Sequence, residues 1–391
     1  DDAEPGLRSA MRQHAPLSAF YFGYYAALGA FTPYFARWIV ESGHGAWLAS
    51  VCLSLWYATR IVAPPLWSSL CARSRHPLHW LRGGAWLAAA GFGGLFLVHD
   101  SVGVLGSIVV FSFFANAILP QFEAITLERL GPRRAEYGKI RVWGSVGFLV
   151  VAGSYGWLLD SIGRAWFPWT MWPLLLATAA IAHTVNAPPP EPHAAPRSAS
   201  WGEILRVPGA VGFFATVMLM QTGFGAFYVF YTVHLEAHGH SGSTVGLLWA
   251  IGVVAEIAML LGMRRVFERF DARAVMSACL AVTALRWAVV AALPQSLPWM
   301  LAMQLLHALS FGAFHAACMQ RAVTLFPGRL AHHGQSLLYG LGSGVGGVVG
   351  TLLAGVVWEH VGGRASFAVS ALVCVLALAL VWPRRRAVST A

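Results

Sequence analysis

The chain has 391 residues, of which 57% are hydrophobic, 13% aromatic and only 11% charged; so much apolar surface exceeds what one water-soluble core can bury and calls for lipid as its solvent. The formal net charge of +10 rests on 26 arginines and lysines gathered in the short segments between apolar runs, which makes it a topology signal and a fit to anionic headgroups, not a nucleic-acid footprint. No spacing of nucleophiles, titratable groups or cysteines marks a catalytic cluster, and no metal or cofactor is expected.

Twelve apolar stretches of about 20 residues, the length that crosses a hydrocarbon core, are predicted near 15–38, 46–70, 80–98, 101–126, 138–160, 165–185, 208–233, 242–263, 272–293, 297–320, 334–358 and 364–382. The first is full span length and reads as a span, not a cleavable leader; it carries Tyr24 near its middle. In the second, Arg60 follows Trp56 by one turn, so a guanidinium and an indole share a face suited to a small acid bearing a ring. A charge at helix centre costs roughly 2.5 to 3.5 kcal/mol, so Arg60 needs a partner, a wet cavity or a task. The fourth places Asn116, Pro120 and Glu123 on one face, and the fifth opens with Glu136, Lys139 and Arg141, gating charges able to exchange partners with Glu128.

The prolines and small residues of NAPPPEPHAAPRSAS at 186–200 cannot pack a core and read as a linker. The expected division is 1–185, a six-helix bundle; 186–203, a cytoplasmic linker; and 204–391, a second six-helix bundle. The seventh span offers Gln221 and Tyr228, and the eighth Trp249 and Glu256 at helical spacing. Arg286 in the ninth is read as a structural ion pair or switch with Glu256, and Asp271 before it as part of a charge latch. The tenth carries Gln304, His307, Phe311 and His315 as a stripe; imidazoles titrate near neutral pH, which makes His307 and His315, with Glu256 and Glu123, the proton-coupling candidates. The eleventh contains a literal GxGxxG at Gly342, Gly344 and Gly347, rejected as a nucleotide site because no strand precedes it; its GxxxG pairs, like Gly144, Gly147, Gly153 and Gly156 in the fifth, suit close and sliding helix contacts. Cys52, Cys71, Cys279, Cys318 and Cys374 read as small core residues.

A shift of about 195 residues lays the halves over each other: Glu41 falls on Glu236, Ser101 on Ser296, and GRAWF at 163–167 meets GRASF at 363–367. Such a repeat marks a two-bundle transporter. Most basic residues fall on the side of the N-terminus, with Arg37, Arg164 and Arg364 on the other, so both termini are expected in the cytoplasm of a bacterial inner-membrane protein.

Six plus six helices around a central linker resemble the major facilitator superfamily. EYGKIRVWGSVGF at 136–148, VGLLWAIGVVAEI at 245–257, LRWAVV at 285–290 and QLLHALSFGAFH at 304–315 resemble its phenylpropionate permease branch, proton-linked importers of small aromatic acids close to nucleoside symporters. The loop LWSSLCARSRHPLHWL departs from the superfamily pattern by lacking its aspartate. The resemblance implies an all-α carrier that imports a small aromatic anion with protons by alternating access, and a monomer is the default expectation. Arg60, Trp56, Tyr24, Asn116, Gln221, Tyr228, Trp249 and Gln304 then face substrate. A nucleoside or other neutral solute, efflux, and a non-transporting receptor are the alternatives.

Overall fold

The computed structural model describes residues 3–71, 74, 76–186 and 201–381, and the side chains of these from residue 14 onward except at 134, 135, 201, 329 and 332; most of the expected linker and the terminal Arg384, Arg385 and Arg386 lie outside the described residues. Helices account for nearly everything described. The first half comprises α1 (Ala3–Ile39), α2 (Gly45–Cys71), α3 (Pro77–Gly93), α4 (Ser101–Leu130), α5 (Tyr137–Ile162) and α6 (Phe167–Ile181). After the short α7 (Trp201–Leu205), the second half comprises α8 (Ala210–Gly223) running on into α9 (Gly225–Ala237), then α10 (Gly242–Phe267), α11 (Ala272–Ala292), α12 (Leu297–Leu305) and α13 (Phe314–Leu325), α14 (Ala331–Leu337) and α15 (Gly346–Val361), and α16 (Gly363–Val381). The segments Ala308–Ala313 and Leu338–Val345 are π-helical turns that join α12 to α13 and α14 to α15.

Among the described residues nine stretches are long and apolar enough to span a bilayer, and the first, His14–Cys71, contains two rods. They meet at a turn where Gly43 and Gly45 take φ of 85° and 82°, a region that side chains resist. The remaining two rods, α3 and α6, have 17 and 15 residues. The result is twelve rods arranged as two six-helix bundles.

The bundles repeat each other's packing. Within the first half α1 lies on α5 and α6; within the second, α8 lies on α15 and α16. Between the halves α2 meets α15 while α5 meets α10, the same contact viewed from either side of a pseudo-twofold axis, and α1 meets α9 on that axis. Glycines permit these approaches. A Cβ on Gly29 would come within 2.8 Å of the Phe148 carbonyl, and one on Gly156 would run into the Gly242 carbonyl of α10. The glycine rows expected to slide therefore divide their work: Gly144 and Gly147 face α1 within the first half, whereas Gly153 and Gly156 face the second.

Candidate functional site

The rods leave two faces, one rich in arginine, where α1 begins, and one poor in it, where Arg37 and Arg164 sit. Midway between them α2 presents Arg60, exposed on the seam between the halves. Among the described residues no carboxylate pairs with it. Its guanidinium carbon lies 6.0 Å from the Trp56 ring centre and 5.7 Å from that of Tyr57, and it is within electrostatic range of the Tyr24 and Tyr228 phenols. Tyr57 in turn meets Tyr228 of α9 at 6.2 Å, one ring from each half. The aromatic wall continues to Phe224 at 5.6 Å, to Phe311 at 6.3 Å and to the stacked His307 ring at 5.6 Å.

At the far end of this wall the His307 Nε2 is 3.9 Å from the Glu256 Oε2. Two glycines make the approach possible. A Cβ on Gly252, one turn before Glu256, would sit 3.3 Å from the Gln304 Oε1 and 3.4 Å from the His307 ring, and one on Gly312 in the π turn would sit 2.9 Å from the Glu256 Cγ. The arrangement thus holds an unpaired cation in the first half and a carboxylate–imidazole pair in the second, with aromatic rings between them. A ligand with one negative end and an apolar body matches that pattern.

Several expected contact residues have their polar atoms engaged elsewhere. The Asn116 amide donates to the Trp56 carbonyl at 2.9 Å and the Thr59 hydroxyl at 3.0 Å, tying α4 to α2 just before Arg60. The Tyr24 hydroxyl donates to the Ala115 carbonyl at 2.9 Å. Trp249 is buried against Phe227 at 4.5 Å. Gln304 accepts from the Arg286 Nη2 at 3.2 Å, and the Arg286 Nε donates to the Met303 carbonyl at 2.8 Å. Arg286 therefore turns toward α12, and the carboxylate of Glu256 is found at His307 instead. Gln221 borders the seam, packed under Gly346 and within reach of the Tyr57 hydroxyl. Along the stripe from Gln304 to His315, Gln304 and His307 are buried, whereas Phe311, stacked on His307, and His315 are exposed, the latter 6.1 Å from the Tyr339 ring.

Nearer the arginine-rich face, Arg141 donates to the Tyr25 hydroxyl at 2.6 Å, lies 4.2 Å over the same ring, and approaches the Glu123 carboxylate at 4.0 Å. Tyr137 donates to Glu123 at 3.4 Å. Glu136 holds His14 at 2.8 Å, Lys139 is exposed, Glu128 is half-buried, and Asp271 caps α11 by accepting from the Ala274 N–H at 2.7 Å.

The arginine-poor face is closed by charges that inspection of single helices assigned to loops. Arg37, 1% exposed, lies 2.8 Å from Glu236, 3.3 Å from Asp160 and 3.7 Å from Glu41. Arg164 pairs with Glu41 and lies 3.6 Å from Glu236. The other Asp160 oxygen accepts from the Ser243 N–H at 2.9 Å and its hydroxyl at 3.2 Å. The superposition of Glu41 on Glu236 in the internal repeat was the one sequence signal of this cluster.

A family model, the MFS_1 like family, matches residues 14–369. The chain is 29% identical to the probable 3-phenylpropionic acid transporter of Escherichia coli (strain K12), over 93% of this chain and 96% of that protein. It is 26% identical to the maltose permease of Geobacillus stearothermophilus, over 94% of each. Among solved structures it resembles a mutant of the nucleoside transporter NupG with a TM-score of 0.82 at 15% identity, covering 94% of this chain and 98% of that one, a likeness that speaks to the fold.

Proposed function

Because the chain belongs to the MFS_1 like family, whose members among its relatives are membrane transporters, we propose that it carries a small aromatic carboxylate, of the phenylpropionate kind, inward across the bacterial inner membrane together with protons by alternating access. The observation that carries this reading is Arg60: a cation without a carboxylate partner among the described residues, exposed at mid-membrane, with rings from both halves beside it. Substrate carboxylate meets Arg60 and its ring lies along Tyr228, Phe224 and Phe311. Glu256, paired with His307 and lying within electrostatic range of Arg141 across the seam, takes and releases the coupled proton. The arginine-rich face is the cytoplasmic one, both termini lie there, the divisions fall at 1–185, 186–203 and 204–391, the chain acts as a monomer, and no step needs covalent chemistry or a cofactor.

The test is accumulation of labelled 3-phenylpropionate in proteoliposomes with and without an inward proton gradient. Accumulation is expected in the wild type and lost in Arg60→Gln and Glu256→Gln; a folded wild type that neither binds nor accumulates the acid overturns the substrate class. A second reading, a neutral polyhydroxylated solute, is favoured by the Glu123 and Arg141 pair, both about a third exposed and joined by Tyr137, since adjacent acceptor and donor charges suit hydroxyl groups. Under it, maltose or a nucleoside competes for binding and Arg60→Gln spares uptake.

A further inference from the structure

The cluster at the arginine-poor face has an unequal composition. Two guanidinium groups, Arg37 and Arg164, face three carboxylates, Glu41, Asp160 and Glu236. Four of these five charges belong to the first half. Their mutual pairs, Arg37 with Glu41 and Asp160 and Arg164 with Glu41, move with that half whatever the second half does. Glu236 is the one carboxylate of the cluster supplied by the second half, and both ion pairs that cross the seam here, from Arg37 at 2.8 Å and from Arg164 at 3.6 Å, end on its Oε2. Its side chain is 8% exposed, while those of Arg164, Asp160 and Glu41 are 46%, 26% and 31% exposed, so water and protons reach it through its partners.

We propose that Glu236 is a proton-binding site, distinct from the Glu256 and His307 pair, and that one proton taken from the arginine-poor side unlatches the two halves. The inference rests on the proton-coupled reading above. Protonation converts the carboxylate to a neutral acid and consumes nothing but the proton. It weakens both cross-seam pairs at once and leaves Arg37 beside Asp160 and Glu41 and Arg164 beside Glu41, so neither cation is left without a carboxylate, the usual penalty for breaking a buried ion pair. Near the cluster, the hydrogen bonds from Ser243 to Asp160 and the glycine contacts of α10 around Tyr34 remain across the seam.

The groups facing Glu236 are these: Arg37 and Tyr34 from α1, Glu41 from the turn after it, and Asp160 and Arg164 from α5 and the turn that follows, with Ser243 of α10 bonded to Asp160 beside them. The histidines of its own segment are engaged away from it, His234 with the Val290 carbonyl, His238 with the His234 carbonyl and His240 with the Pro294 carbonyl. Those three imidazoles are thus not among the groups that contact Glu236.

Hydrogen exchange by mass spectrometry on the full chain in nanodiscs tests this without any substrate. At pD 8, Glu236→Gln is expected to raise exchange in segments 152–162 and 242–250 by roughly twofold or more over the wild type, and that gap closes toward pD 5 as the wild type itself becomes protonated. Glu236→Asp keeps the slow wild-type exchange at pD 8. Glu41→Gln, which removes only pairs inside the first half, leaves both segments slow, and so does Glu256→Gln, which keeps this test separate from the coupling role given to that residue. Arg164→Gln, altering an exposed group and removing one of the two cross-seam pairs, gives a smaller rise and stands in if Glu236→Gln does not fold. Exchange in Glu236→Gln equal to the wild type at pD 8, or a gap unchanged between pD 8 and 5, overturns the proposal.

Discussion

Asn116 is polar, mid-membrane and on the same face as Glu123, all of which marks it as a contact for substrate when only the helical period is known. In three dimensions both protons of its amide are donated to α2, to the carbonyl of Trp56 and the hydroxyl of Thr59. Its work here is to hold the turn that carries Arg60. Asn116→Ala removes two hydrogen bonds between α4 and α2, leaving Thr59 only its own bond to the Trp56 carbonyl, so it is expected to cost on the order of 1 to 3 kcal/mol and to lower the melting temperature. A substrate contact would instead leave melting unchanged and raise KM alone. The same limit applied to Tyr24 and Gln304: residue type and spacing name the polar side chains of a span, but not whether a neighbouring carbonyl or guanidinium has already engaged them. Arg60 was legible for the opposite reason, since α2 offers its guanidinium no carboxylate at i±3 or i±4.

Whole helices were read more securely than their side chains, because length and apolar runs are set by the bilayer itself. The two π turns escaped that reading. Each interrupts an otherwise regular rod; across the first of them Phe311 keeps its stack on His307 at 5.6 Å although it is exposed and His307 is buried. Glycine behaves similarly at this scale. GxxxG spacing identified helices that approach closely, but the partner of each glycine depends on which side of the rod it faces. Gly156→Ala sets a Cβ against the Gly242 carbonyl, and the arginine-poor face is expected to lose its closure, read as faster exchange in 152–162. Gly106→Ala on α4, with open space around it, is the control; it should leave exchange unaltered and stabilise the rod by up to about 1 kcal/mol.

For the molecule as a whole, the asymmetry of basic residues assigns a direction that the pairing of the two halves does not. Lys139→Cys lies exposed on the arginine-rich face and Gln295→Cys exposed on the other. A membrane-impermeant maleimide is expected to label the second in intact cells after the outer membrane is breached, and the first only in inverted vesicles; the reverse pattern would invert the transport direction given above. The two-bundle architecture was legible in the internal repeat, and the pairing of α2 with α15 and of α5 with α10 is that repeat in space. The charge cluster was not, because Arg37 and Glu236 stand about 200 positions apart and each looks like an ordinary loop residue beside its own helix. Only closure of the two halves on each other gives them a common address.

Beside the charge cluster, part of the seam that closes this face is backbone against backbone: Gly156 on the Gly242 carbonyl and Gly246 on the Ala152 and Gly153 carbonyls. Backbone contacts of this kind have no rotamers to freeze when they form and none to release when they part. Docking there is close to a change of contact alone, so repeated opening and closing accumulates little frictional cost from side-chain rearrangement, and the pace of the cycle is left to ions, water and cargo.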